Sequence, residues 1–148
     1  MTAKPISSNR SRRGTATVEF ALVTPLLLLL LAAVVDFGML LRTATCLTDA
    51  ARAGAEYGSQ NATTSQDIAG MKTAAANAEP GISGMTTTAV QSCQCSNGST
   101  VSCGGSCGSG AVQIYVKVTT TATTAAAFTN SSLGYNGTIS AAATLRAQ

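Results

Sequence analysis

Cysteine is the residue type in this sequence best suited to covalent chemistry, and four of the five cysteines lie close together. They have the spacing C-x-C-x7-C-x3-C among Gly, Ser and Asn: Cys93, Cys95, Cys103 and Cys107. Such a cluster either binds zinc or forms disulfides. A Cys-x-Cys pair is unusual for structural zinc, and the chain has no histidine. We therefore predict two disulfides and no metal site, with the pairing open among the three connectivities that four cysteines allow.

Two disulfides in this segment would order a Gly-rich tip that has too few apolar side chains to order itself. The fifth cysteine, Cys46, is left without a partner in the cluster. We interpret Cys46 as a buried or lipid-proximal thiol. A disulfide between two subunits is the alternative interpretation of Cys46.

The remaining polar residues do not form a catalytic set. The six acidic residues all lie on or near predicted helices: Glu19, Asp36, Asp49, Glu56, Asp67 and Glu79. No histidine is present to activate a serine or cysteine nucleophile, and no glycine-rich phosphate loop occurs. We expect a protein that is not an enzyme and that has no cofactor.

Composition limits the size of any soluble core. The chain has 148 residues, of which 10% are charged and 4% aromatic, with no tryptophan. Its largest apolar side chains are concentrated in Leu26–Leu31 and the residues around it. A domain built from the remaining small residues has a small core, so the chain has room for one small domain and an anchor.

The charges are distributed unevenly along the chain. Four basic residues and no acidic residue precede the apolar run: Lys4, Arg10, Arg12 and Arg13. Five basic and six acidic residues follow from Thr15 onward, which gives no basic face for nucleic acid. Basic residues before an apolar run favour a cytoplasmic N-terminus and an exported C-terminal part. The exported part would enter an oxidising compartment, which favours disulfides.

The apolar run itself predicts a membrane helix. Phe20–Val35 carries no charge and would span about 24 Å as a helix, a little less than the ~30 Å hydrocarbon core of a bilayer. Extension to Val18–Leu41 would span the bilayer but includes Glu19 and Asp36. Pro25 should kink or loosen the first turns. The patterns of a secretory, a lipoprotein and a twin-arginine signal fit poorly, whereas an uncleaved signal anchor stays open.

Three motifs in order along this helix resemble a known family. The segment Gly14–Phe20 resembles the prepilin peptidase motif of the Flp/Tad class, in which four residues separate glycine from Glu-Phe. Asp36-Phe37-Gly38 and the run Asp49–Ala55 resemble the corresponding motifs of the TadE-like pseudopilins. The resemblance covers Arg12–Gly58, about a third of the chain, and Thr15 and Thr17 stand where alanine is commoner.

The resemblance implies how the N-terminus would be processed. A prepilin peptidase would cut between Gly14 and Thr15, within a motif completed by Glu19 and Phe20. The glycine would let an extended backbone approach the peptidase closely. Glu19 would become the fifth residue of the mature chain and would pair with the N-terminal amine of a neighbouring subunit, so that each charge compensates the other.

The resemblance also implies a function, partners and a location. The chain would be a minor pseudopilin that acts in assembly of a Tad/Flp pilus, a type IV-like pilus used for surface adherence. Its partners would be the prepilin peptidase, other Tad pseudopilins or pilin, the inner-membrane assembly platform and the lipid bilayer. It would cross the bacterial inner membrane once, with a cytoplasmic N-terminus and a periplasmic or extracellular C-terminal domain. The alternative is an uncleaved, single-pass periplasmic protein that binds a partner through the cysteine-rich loop.

A stripe of apolar and small residues predicts that the helix continues beyond the membrane. Its residues recur at alternating spacings of three and four: Phe37, Leu40, Ala44, Leu47, Ala51, Gly54 and Gly58. This spacing places them on one helix face. The face would pack either on the chain's own sheet or on the helix of a neighbouring pseudopilin.

Downstream patterns predict a short helix and then strands. A helix is predicted over Ser65–Ala78, with Thr64 as its cap. Met85–Cys95 is β-prone, and apolar residues alternate with polar ones in Val112–Thr119 and Ile139–Arg146. Ala125–Gly134 is a connection with room for a short extra strand.

The fold class follows from these elements. We predict an α+β, pilin-like fold: a long N-terminal transmembrane and amphipathic helix, then a small antiparallel sheet of three to four strands. The predicted organisation is a basic leader (residues 1–14), the long helix (15–58), a linker with a short helix (59–84) and a disulfide-clamped β domain (85–148).

Overall fold

The computed structural model describes residues 12–108, 110–125 and 136–147. It contains helix α1 (Arg12–Ser59), a 3-10 turn (Thr64–Gln66) and helix α2 (Ile68–Ala78). Four strands follow: β1 (Thr86–Cys95), β2 (Thr100–Val101), β3 (Val112–Ala125) and β4 (Asn136–Arg146). The predicted α+β class, with a long N-terminal helix and a small antiparallel sheet, is confirmed. Most of the predicted leader and of the connection between β3 and β4 lies outside the described residues.

The chain divides into two compact units, Met1–Gly38 and Met39–Gln148, and α1 contributes residues to both. In the first unit the described residues are helical throughout, and the helix continues through Pro25. The six leucines of Leu26–Leu31 are each between 55% and 71% exposed. Leucine on every side of a helix has no internal core to enter, which is typical of a helix that is covered by lipid or by other chains.

The second unit is built on a sheet with the strand order β2-β1-β3-β4, in which every pair is antiparallel. Val116 and Val118 on β3 are fully buried, while Lys117 between them is exposed. On β4 the odd-numbered residues from Ile139 to Leu145 are half-buried and the even-numbered ones are exposed. The period-two patterns therefore predicted correctly which face of each strand enters the core.

The core lies between that buried sheet face and the two helices. Its buried members are mostly small side chains with few large ones: Ala50, Ala55, Met71, Ala75, Val116 and Val118. The fully buried Thr120 joins β3 to α1, because its hydroxyl donates a 2.8 Å hydrogen bond to the Leu47 carbonyl. A threonine hydroxyl is tolerated in this core because it has an acceptor there.

The start of α2 differs from the prediction. Residues Thr64–Gln66 form a separate 3-10 turn, and α2 begins only at Ile68. Its cap is Asp67, whose Oδ1 accepts a 2.8 Å hydrogen bond from the Gly70 N–H, so the predicted cap at Thr64 is wrong. Asn61 takes over the preceding turn, because its Oδ1 accepts from the Thr64 N–H at 2.9 Å. Two side-chain acceptors close together divide this segment into two short helical pieces.

Candidate functional site

The residues of the predicted peptidase motif lie in the first turns of α1. Gly14 is helical and exposed, and no described atom beyond its own turn of helix lies within 4 Å of the position that a Cβ would occupy there. Glu19 is exposed, and Phe20 is 70% exposed. Gly14 is therefore part of the helix in this structure, which begins at Arg12, whereas the predicted helix begins at residue 15. A glycine weakens a helix by about 1 kcal/mol relative to alanine, so this turn costs little to unwind.

The same helix meets the requirements of length and composition for a membrane span. Within Ala16–Ser59 an 18-residue window reaches a mean hydropathy of 2.5, and none of that window is buried within the chain. A helix needs about 20 apolar residues to cross a bilayer. The helix is thus compatible with a single-pass membrane anchor.

The predicted packing stripe divides into two parts. Phe37 is 60% exposed, and Leu40 and Ala44 are half-buried. The other four residues are buried in the second unit: Leu47, Ala51, Gly54 and Gly58. Gly54 and Gly58 lie against α2 and β3, and the Leu47 carbonyl accepts a hydrogen bond from Thr120 on β3. The chain's own sheet domain was one of the two packing partners considered for the stripe.

The two glycines of the stripe allow α1 to approach α2 and β3 closely. A Cβ on Gly54 would lie 2.7 Å from the Met71 carbonyl oxygen and 3.1 Å from Val118 Cγ1. A Cβ on Gly58 would lie 3.0 Å from Met71 Cγ and 3.2 Å from Val116 Cγ2. Because these distances are shorter than ordinary contacts between carbon atoms, no side chain fits at either position without a shift of its neighbours.

A second contact joins the end of α1 to the start of α2. The Tyr57 hydroxyl donates a 2.8 Å hydrogen bond to Asp67 Oδ2. The hydrogen bond from the Gly70 N–H, and then the one from Tyr57, hold the pKa of Asp67 below its usual value. The same hydrogen bond to Asp67 raises the pKa of Tyr57. The ionised carboxylate therefore both caps α2 and binds α1.

The cysteine-rich segment forms a clamp at one end of the sheet. Disulfides join Cys93 to Cys103 and Cys95 to Cys107, with Cα–Cα distances of 5.0 and 5.8 Å. Cys93 and Cys95 are anchors on β1, since they are 2% and 8% exposed. Between the two pairs the short strand β2 pairs with β1 at Cys93 and Gln94. The structure thus chooses one of the three connectivities and adds a short strand that was not predicted.

Cys46 lies on α1 as a half-buried free thiol. Burial raises the pKa of Cys46, and a hydrogen bond with Glu79 raises it further. A raised pKa lowers the fraction of thiolate, which is the reactive form. We therefore expect the Cys46 thiol to react more slowly at neutral pH than an unperturbed thiol.

Comparison with protein families bears on the N-terminal part of the chain. The family model described as TadE-like protein matches residues 14–56. This segment is similar to the TadE-like family. The match contains the Gly14–Phe20 motif, Asp36-Phe37-Gly38 and Asp49–Ala55, so the predicted resemblance is confirmed. The comparisons with curated proteins and with solved structures returned no match. The TadE-like segment ends within α1, and the sheet lies outside it.

Two structural contacts were not predicted, although the sequence contains a signal for each. The alternation of Val116 and Val118 continues to Thr120 and Ala122, but a run of threonines hides its period. Asp67 stands three residues before Gly70, which is the spacing between an N-cap side chain and the N–H that it accepts. Both signals consist of one or two polar residues, so a search for periodic apolar residues does not find them.

Proposed function

We propose that this chain is a minor pseudopilin-like membrane protein that acts in assembly of a Tad/Flp pilus for surface adherence. The observation that carries the proposal is the TadE-like match over residues 14–56. The match coincides with a helix that is apolar enough to cross a membrane. The TadE-like family suggests association with a Tad pilus, and its other components are the proposed partners.

In this proposal α1 has two consecutive functions. Its N-terminal part, with Gly14 and Glu19, is the substrate of a prepilin peptidase and then the contact to a neighbouring subunit. Its C-terminal part, from Leu47 onward, is fixed to the chain's own sheet. The sheet domain would then lie on the periplasmic or extracellular side and offer contacts to other pilus components.

The proposal is tested by the N-terminus of the mature protein. The full chain is produced in its own bacterium, with and without the prepilin peptidase, and the intact mass is measured. We expect a mature chain that starts at Thr15, and we expect Gly14→Leu to prevent the cut. Gly38→Leu is the matched control, because both glycines lie on α1 and no described atom beyond the local helix lies within 4 Å of the position that a Cβ would occupy.

A mature chain that still begins at Met1 or Thr2 in cells with active peptidase would contradict the proposal, because a pseudopilin loses its leader. Deletion of the chain should also lower the amount of sheared surface pili and the adherence of cells. Unchanged piliation after deletion would contradict a function in assembly even if the leader is removed.

The disulfide clamp favours a second candidate function. Two disulfides hold an exposed polar segment, from Ser96 to Thr100, at the end of the sheet. A rigid exposed loop is suited to recognition of a partner. The chain would then be an uncleaved, single-pass anchored periplasmic protein that binds a partner through this loop. The mass measurement distinguishes the two candidates, because only the pseudopilin loses its leader.

A further inference from the structure

Strand β4 lies at one edge of the sheet, and within the described part of the chain no strand pairs with its outer side. In the sheet order β4 pairs only with β3, and no other described strand lies beyond it. The Ala147 N–H donates a 2.8 Å hydrogen bond to the Ile114 carbonyl on β3. Because residues alternate along an antiparallel strand, the odd-numbered residues of β4 direct their backbone groups to β3. The even-numbered residues direct theirs away from the sheet.

The outward-directed residues are all accessible. Five even-numbered residues are exposed: Thr138, Ser140, Ala142, Thr144 and Arg146. Among the described residues, none of their outward N–H or C=O groups bonds to another backbone group. An edge with a row of unpaired backbone groups is a template for another strand. Natural sheets protect such edges with charged side chains, proline, bulges or short strands. Over its eleven residues β4 has one such feature, the charged Arg146 at its last position.

The pattern of polar and apolar residues in β4 is similar when the strand is read in the reverse direction. In an antiparallel pair centred on Ala142, Ser140 lies opposite Thr144 on the exposed face. On the core face Ile139 lies opposite Leu145, and Ala141 lies opposite Ala143. These core-face residues are half-buried in one chain, so a second strand would cover the apolar area that remains. Cross-strand pairs of similar polarity stabilise such a ladder.

Charge also permits this pairing. Arg146 is the only charged residue of β4, and in the register centred on Ala142 it lies opposite Thr138. Like charges directly opposite each other would destabilise the pair, and this register avoids them. A second copy of β4 has the required alternation of polar and apolar residues in its own sequence. A strand of a different protein would need to have acquired the same alternation separately.

We propose that β4 is an interaction surface for a second copy of this chain, and that two β4 strands pair antiparallel about Ala142 to form one continuous sheet. The bonds are backbone hydrogen bonds between the even-numbered residues of both strands. This is strand addition, in which the backbone supplies affinity and the alternating side chains fix the register. The proposal rests on the sheet alone and not on the proposed function in a pilus.

The first test is cross-linking of the full chain in detergent micelles, in a Cys46→Ser background that keeps the two native disulfides. In the proposed register two Ala142→Cys residues face each other with Cα atoms about 5.5 Å apart. Under a copper–phenanthroline oxidant they should form a disulfide dimer. The matched control is Thr88→Cys, which is exposed on the same sheet face but two strands away. We expect the dimer to form about tenfold faster or more at position 142, because pairing raises the effective concentration.

A second pair of variants tests whether backbone hydrogen bonds hold the strands together. In the Ala142→Cys chain, Thr144→Pro removes an outward N–H that β3 does not use, as edge strands tolerate. It should reduce cross-linking to the rate of the Thr88→Cys control. Thr144→Val keeps that N–H and should leave the rate unchanged. Retention of both native disulfides shows that each variant is folded.

A third arm does not depend on the proline variant. A mixture of Ser140→Cys and Thr144→Cys chains should give mixed dimers faster than either chain gives homodimers. Cross-linking at position 142 no faster than at position 88 would overturn the proposal, and so would mixed dimers no faster than homodimers. A cross-link in cell membranes whose mass contains a different protein, and not this chain, would show that β4 binds another partner and would equally overturn it.

Discussion

Addition of a side chain at Gly54 tests the close packing on which the sheet domain depends. Gly54 lies on α1, where even one methyl group would lie 2.7 Å from the Met71 carbonyl oxygen and 3.2 Å from Ala75 Cβ. The first of these atoms belongs to the backbone of α2, so it cannot rotate away as a side chain can. Helix α2 must shift for any residue larger than glycine.

Two opposing effects set the magnitude. A residue other than glycine in a helix gains up to about 1 kcal/mol in propensity. Excess atoms in a packed core cost about 1–3 kcal/mol and sometimes more. For Gly54→Ala the two effects are similar in size, and we expect a net loss of about 0–2 kcal/mol. For Gly54→Leu the added volume is far larger, and we expect a net loss of about 2 kcal/mol or more.

The assay is urea unfolding of the full chain in detergent micelles, followed by tyrosine fluorescence. All three tyrosines lie in the unit Met39–Gln148, and the chain has no tryptophan. Gly38→Ala and Gly38→Leu are the matched controls, because no atom lies within 4 Å of a Cβ there. The free energy of unfolding should fall in the order Gly, Ala, Leu at position 54. At position 38, which is also helical but uncrowded, it should stay unchanged or rise by up to about 1 kcal/mol. Equal stability of Gly54→Leu and the natural chain would refute the close approach of α1 to α2.

Three further predictions concern the disulfides, the helix cap and the free thiol. Replacement of Cys95 and Cys107 by alanine should lower the free energy of unfolding by about 3 kcal/mol, because the bridge closes a short loop; a loss below about 1 kcal/mol in urea unfolding would contradict this account. Because the folded-state pKa of Asp67 is lowered, its contribution to stability should be present above about pH 3.9 and lost as the pH falls below that value. Asp67→Asn should remove this part of the pH dependence in urea titrations, and an unchanged profile would oppose it. Glu79→Gln should lower the pKa of Cys46, because Glu79 raises it. The variant should therefore be alkylated faster by iodoacetamide at about pH 7.5, where a thiol is mostly protonated. An unchanged rate would show that Glu79 does not influence the thiol.

The strongly periodic parts of the fold could be predicted from the sequence. The apolar run Phe20–Val35 and the stripe that ends at Gly58 predicted a single helix, and α1 is continuous from Arg12 to Ser59. Alternation in Val112–Thr119 predicted β3 and its buried face. These predictions were successful because burial of apolar side chains is the strongest local signal in a chain. Polar signals are weaker, which is why the cap of α2 was assigned to Thr64 instead of Asp67.

The residues of the candidate site could be predicted from the sequence, but the exact start of the helix that contains them could not. Gly14, Glu19 and Phe20 form a motif that is recognisable from residue order alone, and the family match over residues 14–56 contains it. Glu19 and Phe20 lie within the helix predicted over residues 15–58, whereas the helix in the structure begins at Arg12 and also includes Gly14. The exact start was not predictable, because a glycine near a helix start is compatible with both helix and extended backbone. The prediction that a peptidase cuts after Gly14 depends on a partner, and it stays a prediction.

By itself the sequence determined the long helix and the long strands, which of their faces are apolar, and that the N-terminal helix suits a membrane. These properties depend on residues close together along the chain. Only the tertiary structure decided the pairing of Cys93 with Cys103, the bond from Thr120 to Leu47 and the open edge of β4. Each of these depends on which backbones come together in space. Local patterns do not encode that, because the same alternation fits either an edge or a central strand.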